Sequence, residues 1–379
     1  MPRVTVGYLD NCMHPLWLTR VGLRAARFFG AQSLWFPDHF ASFVPAIVWK
    51  PELTPAAKII HSPDAFLDPL QMLAVAAVRF RGVDLGTAVT EAYRRHPMSL
   101  AQSFVTLDHL SKGHAILGIG NGERVNVEPY GLPWGKRVSR LEEALTIIRL
   151  LWESRGEPVS YAGKYWELKD AIFNLPLYKD RPPRIWVASH APRMLSLTGR
   201  FADGWLPVEK ATPEEYAHRL GLITDAALAA GRSMESFVPG LLLFPTVLGA
   251  SRDQVLELVM GSGLRGALAL GIPGRLWEEH GLEHPLGNEH GGNYEILPTQ
   301  VTEEHVEQAN ARVTPELVLS VMYMGSPAEV FEEVAPLVDV GVRHFVVTNA
   351  AGFFSGGGIA DMWRIGSLIR KLRRLSFPK

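Results

Sequence analysis

Cysteine is almost absent from the sequence: Cys12 is the only one among 379 residues, so no disulfide can form within the chain. Such sparse use of cysteine is typical of proteins from a reducing compartment. The first residues lack the apolar core of a signal peptide. No window approaches the roughly 18 uninterrupted apolar residues of a membrane-spanning helix. We therefore expect a soluble, cytoplasmic protein without a membrane span.

Charge is also scarce and evenly balanced. Lysine and arginine contribute 38 residues and aspartate and glutamate 39, so the net charge is -1 and only 20% of the residues are charged. Basic runs stay as short as Arg373-Arg374, which is not the footprint of a nucleic-acid-binding protein. Hydrophobic residues make up 47% of the chain, ample for a large core. The expected partner is a small molecule.

Apolar runs of strand length alternate with segments of helical periodicity along the whole chain. The predicted strands are residues 3–9, 33–36, 83–89, 114–119, 184–188, 205–208, 241–248 and 343–348. Eight β-then-α units predict an α/β fold, a parallel (β/α)₈ TIM barrel. The alternative is an open doubly wound sheet, which needs fewer strands and usually a glycine-rich phosphate fingerprint on its first turn. No such fingerprint follows Leu9.

A typical barrel of this kind takes about 250 residues, which leaves roughly 130 for insertions. Residues 40–68 are rich in proline and follow the second predicted strand. Residues 265–314 are rich in glycine, histidine and glutamate and follow the seventh. Because long loops after barrel strands often act as lids, we expect both insertions to lie over the catalytic face. Residues 1–379 are predicted to form a single domain.

Polar residues collect where the predicted strands end. The apolar run from Ala115 to Ile119 is followed by Asn121 and Glu123, and then by a helix that ends near Trp152. Active sites of parallel barrels lie at the carboxyl ends of the strands, so Glu123 is expected in the barrel mouth. The other strand-end polar residues are Asp10, Asp38, His39, Thr90, Glu91, Ser189 and His190.

Several of these residues also have a purely structural interpretation. Asp38 could form an Asx turn, His39 could be a core histidine bonded to backbone, and Ser189 could cap the helix that begins at Pro192. Glu123 could be a solvated loop carboxylate, but its place four residues after an apolar strand favours the mouth. The convergence of so many polar residues at strand ends therefore argues for a site.

Metal and serine chemistry have little support in the sequence. A polar stretch contains several potential zinc ligands, but no HExxH motif and no cysteine pair accompany them. We interpret that stretch as a polar lid segment and predict no metal site. No G-x-S-x-G elbow that would hold a nucleophilic serine occurs either. The potential ligands are His280, Glu283, His284, Glu289 and His290.

Four motifs, in order along the chain, resemble the luciferase-like oxidoreductases, and specifically their branch that uses the deazaflavin coenzyme F420. They are LWFPDHF (34–40), DLGTAVT (84–90), ILGIGNGERVNVEPYG with the RLEEAL helix, and VASHAPRMLSLTGRFADGW (187–205). The second insertion, GIPGRLWEEHGLEHPLG, is similar to that of ketoreductases in this family. The resemblance implies the barrel fold, a large apolar substrate of lipid or polyketide type, and a homodimer.

The resemblance also implies roles for individual residues. Glu123 corresponds to the catalytic carboxylate and His39 to its active-site neighbour, while Asp38 contacts the deazaflavin. Ala88-Val89 fall where the family often has a cis peptide that is not prolyl, with Thr90 beside them. The segment Ser189, His190 and Ala191 is expected at the cofactor phosphate, near free N–H groups at a helix start. Asn121 is also assigned to the cofactor site.

Two departures count against a sugar-phosphate substrate. Asn121 stands where the sugar-phosphate dehydrogenases of this branch have threonine, and His190-Ala191 stand where they have paired glycines. Neither departure disturbs a ketoreductase assignment. The prediction is therefore hydride transfer between F420 and a ketone or secondary alcohol, with Glu123 as proton donor and His39 orienting it. The alternatives are an FMN-dependent monooxygenase on the same fold and a non-catalytic cofactor-binding homologue.

Overall fold

The computed structural model describes residues 1–377. Eight parallel strands close into a barrel within these residues, and its spatial order is β1-β12-β9-β8-β7-β4-β3-β2. The barrel strands are β1 (Thr5–Leu9), β2 (Ser33–Phe36), β3 (Asp84–Thr87), β4 (Ala115–Ile119), β7 (Arg184–Val187), β8 (Gly204–Trp205), β9 (Val238–Leu243) and β12 (His344–Val347). The predicted (β/α)₈ barrel is therefore correct, and the doubly wound alternative is excluded.

The strands are buried on both faces, as a barrel surrounded by helices requires. Every residue of β2, β4 and β12 is buried. Inside the barrel, Trp35 and Trp186 pack with centroids 5.2 Å apart and fill the space together with aliphatic side chains. The outward-facing strand residues belong to a second, larger apolar layer beneath the helices. Both layers explain why the strands read as continuous apolar runs.

Helices surround the barrel and follow its strands. Their bounds are α1 (Leu16–Phe28), α2 (Pro69–Arg79), α3 (Pro97–Ser111), α4 (Arg137–Glu153), α5 (Pro192–Phe201), α6 (Pro213–Ala229), α7 (Arg252–Met260), α8 (Arg265–Ala269), α9 (Gly274–Glu279), α10 (Glu303–Arg312), α11 (Pro315–Val321), α12 (Pro327–Val334), α13 (Gly352–Ser355) and α14 (Ile359–Leu372). The strands β5 (Val159–Ala162) and β6 (Glu167–Ala171) form an antiparallel hairpin outside the barrel. No helix among residues 1–377 is long and apolar enough to cross a membrane.

The seventh predicted strand, residues 241–248, was wrong as a single element. The barrel strand β9 ends at Leu243, before a cis peptide bond between Phe244 and Pro245. Residues Thr246–Leu248 form β10, which pairs in parallel with β11 (Tyr323–Gly325) outside the barrel. Because proline has no N–H to donate, Pro245 was the signal in the sequence that the strand ends here.

The two predicted insertions differ in character. Residues 40–68 contain only two short 3₁₀ helices, at Ala46–Val48 and Pro55–Lys58. Residues 265–314 are largely helical, and their apolar side chains join a second core that also includes Val48, Val247 and Met324. Trp277 in this segment is fully buried. The segment therefore has a core of its own apolar residues, and its position over the catalytic face stays a prediction.

Candidate functional site

Glu123, His39 and Asn126 meet where β4 and β2 end. Oε2 of Glu123 lies 3.3 Å from Nδ1 of His39. The Asn126 amide nitrogen lies 2.9 Å from the same Oε2 and 3.2 Å from the same Nδ1. The prediction that strand-end residues from β2 and β4 converge is borne out for Glu123 and His39.

The orientation of the Asn126 amide follows from its other contacts. Its Oδ1 accepts hydrogen bonds from the backbone N–H groups of Phe40 (2.7 Å) and Ala41 (3.0 Å). The amide nitrogen therefore faces Glu123 and His39 and can only donate to them. This makes Nδ1 of His39 an acceptor and assigns the ring proton to Nε2. Asn126 is 2% exposed and was missed in the sequence, where it follows Glu123 by three residues in the 3₁₀ turn Arg124–Asn126.

The carboxyl group of Glu123 is set up to hold a proton. Burial raises its pKa above the ordinary value of glutamic acid, although His39 and the Asn126 hydrogen bond act in the opposite direction. Oε2 accepts the hydrogen bond from Asn126, and Oε1 makes no hydrogen bond within the described residues. The side chain keeps 30% of its surface exposed, so the group remains accessible to a ligand. A carboxyl with a raised pKa holds its proton more readily and can act as a general acid or base.

Asp38 is held by groups of the protein itself. Its carboxylate accepts a hydrogen bond from the Thr90 hydroxyl (2.6 Å) and forms ion pairs with Arg94 and Arg95, each at 3.2 Å. Burial opposes the charge, but the two arginines outweigh it and hold the pKa of Asp38 below its ordinary value. Arg94 also pairs with Glu91. Neither arginine was singled out in the sequence, although both follow Thr90 within five residues.

The structure shows a cis peptide bond between Ala88 and Val89, as the resemblance implied. Thr90 then continues the chain beside β4, where its N–H donates to Gly118 O and its carbonyl accepts from Gly120 N, both at 2.9 Å. A Cβ on Gly120 would lie 2.9 Å from the Cγ2 atom of Val89. The glycine at 120 therefore lets β4 approach the Ala88-Val89 peptide closely.

Ser189 and His190 follow β7. The Ser189 hydroxyl lies 2.8 Å from that of Thr198 and is buried, and the cap position of α5 belongs to Ala191 without a side-chain bond. The capping role expected of Ser189 was therefore wrong, because its side chain points back to the second turn of the helix. Ala191 is exposed, and the start of α5 carries no side-chain cap on its free N–H groups.

The His190 ring is buried beside Glu209. Its Nδ1 lies 3.6 Å from a Glu209 oxygen, and within residues 1–377 both ring nitrogens lack a hydrogen-bond partner. Burial lowers the pKa of His190 to about 4, so the ring is neutral at physiological pH. Arg219 and Arg275 also face Glu209, at 3.6 and 3.5 Å. A neutral imidazole with two unsatisfied nitrogens is well suited to a polar ligand.

Other strand-end residues do not join the Glu123 cluster. Asp10 accepts from Cys12 N (2.9 Å) and the Thr19 hydroxyl (2.7 Å), so it fixes the turn after β1. The half-buried Asn121 makes no side-chain hydrogen bond within the described part of the chain. Tyr294, which the sequence did not reveal, is near enough to Glu123 and Glu209 for both charges to act on it.

Sequence and structure comparisons place the chain among known proteins. The profile described as luciferase-like monooxygenase matches residues 24–344. The chain belongs to the luciferase-like family. A phthiodiolone/phenolphthiodiolone dimycocerosates ketoreductase of Mycobacterium kansasii is 42% identical over 339 residues, covering 89% of this chain and 92% of that protein. These similarities identify the chain as an oxidoreductase of this family.

Two further proteins bear on the fold and on the cofactor. An F420-dependent glucose-6-phosphate dehydrogenase of Microbacterium testaceum is 32% identical over 295 residues, covering 76% of this chain and 77% of that one. An F420-dependent secondary alcohol dehydrogenase, solved with an F420-acetone adduct, superposes with a TM-score of 0.74 at 20% identity, covering 98% of this chain and 100% of that one. At that identity, the superposition establishes the shared barrel.

Proposed function

We propose that the protein is an F420-dependent oxidoreductase that transfers hydride between the coenzyme and a ketone or secondary alcohol. The observation that carries the proposal is the contact of Glu123 with His39 and Asn126, which holds a carboxyl of raised pKa at the carboxyl end of the barrel. The names of the M. kansasii and M. testaceum relatives support the reaction class and the coenzyme.

The residues around this carboxyl fit a flat, anionic coenzyme. Gly120 lies directly against the Val89 side chain next to the cis peptide and adds no side chain of its own there. His190 offers two buried nitrogens without partners, and the uncapped start of α5 offers N–H groups to a phosphate. The residues we propose to hold the coenzyme are Asp38, Ala88, Val89, Thr90, Asn121, Ser189, His190 and Ala191.

When bound, the deazaflavin supplies a site that gives or accepts a hydride, because a carbon replaces the reactive nitrogen of a flavin. Glu123 delivers the proton from Oε2 to the ketone oxygen during reduction and takes it back during alcohol oxidation. Asn126 holds that carboxyl in place through its hydrogen bond, and His39 packs against it with Nδ1 3.3 Å from Oε2. A positioned general acid of this kind contributes about 10²–10⁴-fold to the rate.

We further propose a large apolar substrate, as the name of the M. kansasii relative supports. Aromatic rings surround His39: Phe43 lies 5.0 Å and Phe66 5.3 Å from it, centroid to centroid. Among the tryptophans of the two insertions, Trp277 is fully buried, and Trp49 is 8% exposed and packs against Phe353. The apolar contact surface is therefore centred on residues 40–68.

Anaerobic mixing of the protein with reduced F420 and a panel of ketones tests the proposal. We expect oxidation of the coenzyme with long-chain ketones, little with sugar phosphates, and the reverse reaction with the matching secondary alcohols and oxidised F420. Tight binding of FMN together with oxygen consumption, and no binding of F420, would establish the FMN monooxygenase that the family description keeps open. The homodimer remains a prediction, which light scattering of the purified protein would test.

A further inference from the structure

A basic recess lies at the end of the barrel opposite to Glu123. Its volume is about 280 Å³. Three segments that are far apart in sequence build it: the residues before β1, the residue before β2, and the end of α14. Its lining consists of Arg3, Val4, Gln32, Arg370, Arg373 and Arg374. We call this the arginine recess.

The positive charge of the recess is not neutralised by the rest of the described chain. Within residues 1–377, none of its four guanidinium groups forms an ion pair with a carboxylate or a side-chain hydrogen bond, and no acidic residue lines the recess. Arg27 adds a fifth positive charge nearby: burial and the charge of Arg373 lower its pKa. Like charges gathered in one place repel, so an anion that binds here relieves that repulsion.

Several contacts hold the arginine recess in shape. Arg370 stacks on Phe29, with its guanidinium carbon 5.0 Å from the ring centroid. Arg373 lies over Gly30, whose φ of +95° favours glycine and where a Cβ would lie 2.1 Å from the guanidinium nitrogen. The Gln32 Oε1 accepts a hydrogen bond from Val6 N (3.2 Å), so the amide nitrogen of Gln32 points away from Val6 N. Pre-organised guanidinium groups lose less entropy on binding.

The floor of the recess is closed by the two ends of the chain. Val4 N donates to Leu375 O (3.0 Å), and Arg3 and Ser376 form an antiparallel bridge. This pairing fixes Arg3 opposite to the end of α14. The four arginines are all exposed and line the same recess, so their charges are open to a ligand from solvent.

We propose that the arginine recess binds an anion with two closely spaced phosphate groups. Arginine is the side chain that matches phosphate oxygens in pairs, and four of them balance the charge of a diphosphate. The volume is just below the range of ligand pockets, about 300 to 1,000 Å³, as suits a small anion. Such a ligand could be a soluble diphosphate or phosphates presented by a lipid surface.

Calorimetric titration of the full chain with inorganic pyrophosphate, at low and at high salt, tests the soluble source. Arg370→Gln and Arg373→Gln should each weaken binding by about tenfold or more, because each removes a charge-assisted hydrogen-bonding group. The matched control is Arg181→Gln, since Arg181 is exposed and lies outside the recess. Thermal unfolding of all three variants shows that each is folded.

Sedimentation with phosphatidylglycerol vesicles, and with phosphatidylcholine vesicles for comparison, tests the lipid source. Binding to either pyrophosphate or phosphatidylglycerol that is lost in Arg373→Gln but kept in Arg181→Gln supports the site and identifies its source. Absence of binding to both probes at millimolar concentration overturns the proposal, as does an equal loss in the Arg181→Gln control. Neither result depends on the activity proposed for Glu123.

Discussion

Asn126 and Glu123 are joined by a 2.9 Å hydrogen bond whose direction is fixed, because Asn126 already accepts two backbone N–H groups through its Oδ1. The donated hydrogen bond competes with burial, which favours a protonated Glu123. The balance between the two decides at which pH the carboxyl carries its proton. In the function we propose, ketone reduction needs the protonated carboxyl and alcohol oxidation needs the ionised one. The pKa of Glu123 therefore sets the pH at which each reaction is faster.

Replacing Glu123 by glutamine removes the transferable proton but keeps the shape of the side chain. We expect Glu123→Gln to lower the turnover of ketone reduction by about 10²–10⁴-fold. The affinity for F420, measured by fluorescence titration, should stay within about threefold, because the carboxyl acts on the substrate oxygen and not on the coenzyme.

The matched control for this variant is Glu153→Gln, the same change at an exposed position at the end of α4. Glu153→Gln should change neither the turnover of ketone reduction nor the affinity for F420. Full turnover in Glu123→Gln would assign the proton to another group.

Asn126→Asp tests the orientation of the amide. An aspartate retains an oxygen for Phe40 N and Ala41 N but places a second carboxylate beside Glu123. Two neighbouring carboxylates raise the pKa of one of them. Reduction requires protonated Glu123 and is lost as pH rises through its pKa, so the falling limb of the pH–rate profile should move to higher pH.

Steady-state rates of ketone reduction across the pH range provide the measurement for Asn126→Asp. A lower rate with an unchanged pH profile would mean that Asn126 only packs against its neighbours. Asn174→Asp is the matched control, because Asn174 is exposed and lies outside the proposed site.

Much of the fold could be predicted because apolar runs buried on both faces mark parallel strands, and β2 and β4 are of this kind. Glu123 and His39 could be found because they directly follow such strands. Asn126 could not, since it lies in an irregular turn and acts through backbone groups of residues 40 and 41. The same holds for Arg94 and Arg95, whose partner Asp38 is more than 50 residues away.

Two parts of the fold could not be predicted from the sequence, and each has an identifiable cause. Residues 241–248 look like one apolar strand, and only Pro245 signals that the chain leaves the barrel. Residues 265–314 contain helices as short as five and six residues, too short to show a periodic pattern. Their burial depends on partners as distant as Val48 and Met324. Tertiary contacts of this kind leave no mark on the local sequence.

Asp38→Asn should destabilise the fold rather than act only on the coenzyme. The variant removes the buried charge between Arg94 and Arg95, and breaking a buried ion pair costs about 3–5 kcal/mol. Arg94 keeps Glu91 and Arg95 keeps Asp68 as a partner, which reduces the loss. Their side chains are 16% and 24% exposed, so we expect the lower end of this range. Urea unfolding at neutral pH gives the change in the free energy of unfolding.

Arg95→Gln, which leaves Arg94 to pair with Asp38, should cost clearly less. Unaltered stability in Asp38→Asn, combined with weak F420 binding, would show that Asp38 acts on the coenzyme alone.

Acid should destabilise the protein partly through His344. Its ring is buried between the Thr5 hydroxyl (2.6 Å) and the Ser33 hydroxyl (3.0 Å), and burial lowers its pKa to about 4 from 6.5. Between these values the unfolded chain binds a proton that the folded protein rejects, so stability falls as pH decreases from 6.5 towards 4. One such histidine contributes a loss of roughly 2 kcal/mol between about pH 6.5 and 5.

Urea unfolding of the protein and of His344→Gln at these two pH values isolates this contribution. The variant should be less stable at neutral pH, because it loses the contacts of the ring, but its stability should fall less on acidification. His218→Gln, at an exposed position on α6, should keep the pH dependence of the parent protein. An identical pH dependence in all three would assign the acid sensitivity to other groups.

Gly120→Ala tests whether the close approach of β4 to the cis peptide serves the coenzyme. The added methyl group would lie 2.9 Å from Cγ2 of Val89, a branched side chain with little freedom to move away. The Ala88-Val89 peptide should therefore shift by a few tenths of an ångström, and such misplacement lowers F420 affinity and turnover by roughly tenfold or more.

Gly221→Ala is the control: its new methyl group meets nothing within 4 Å, and in helix α6 it should stabilise the protein by about 0.5–1 kcal/mol. Normal F420 binding in a folded Gly120→Ala variant would show that the Ala88-Val89 peptide does not contribute to coenzyme binding.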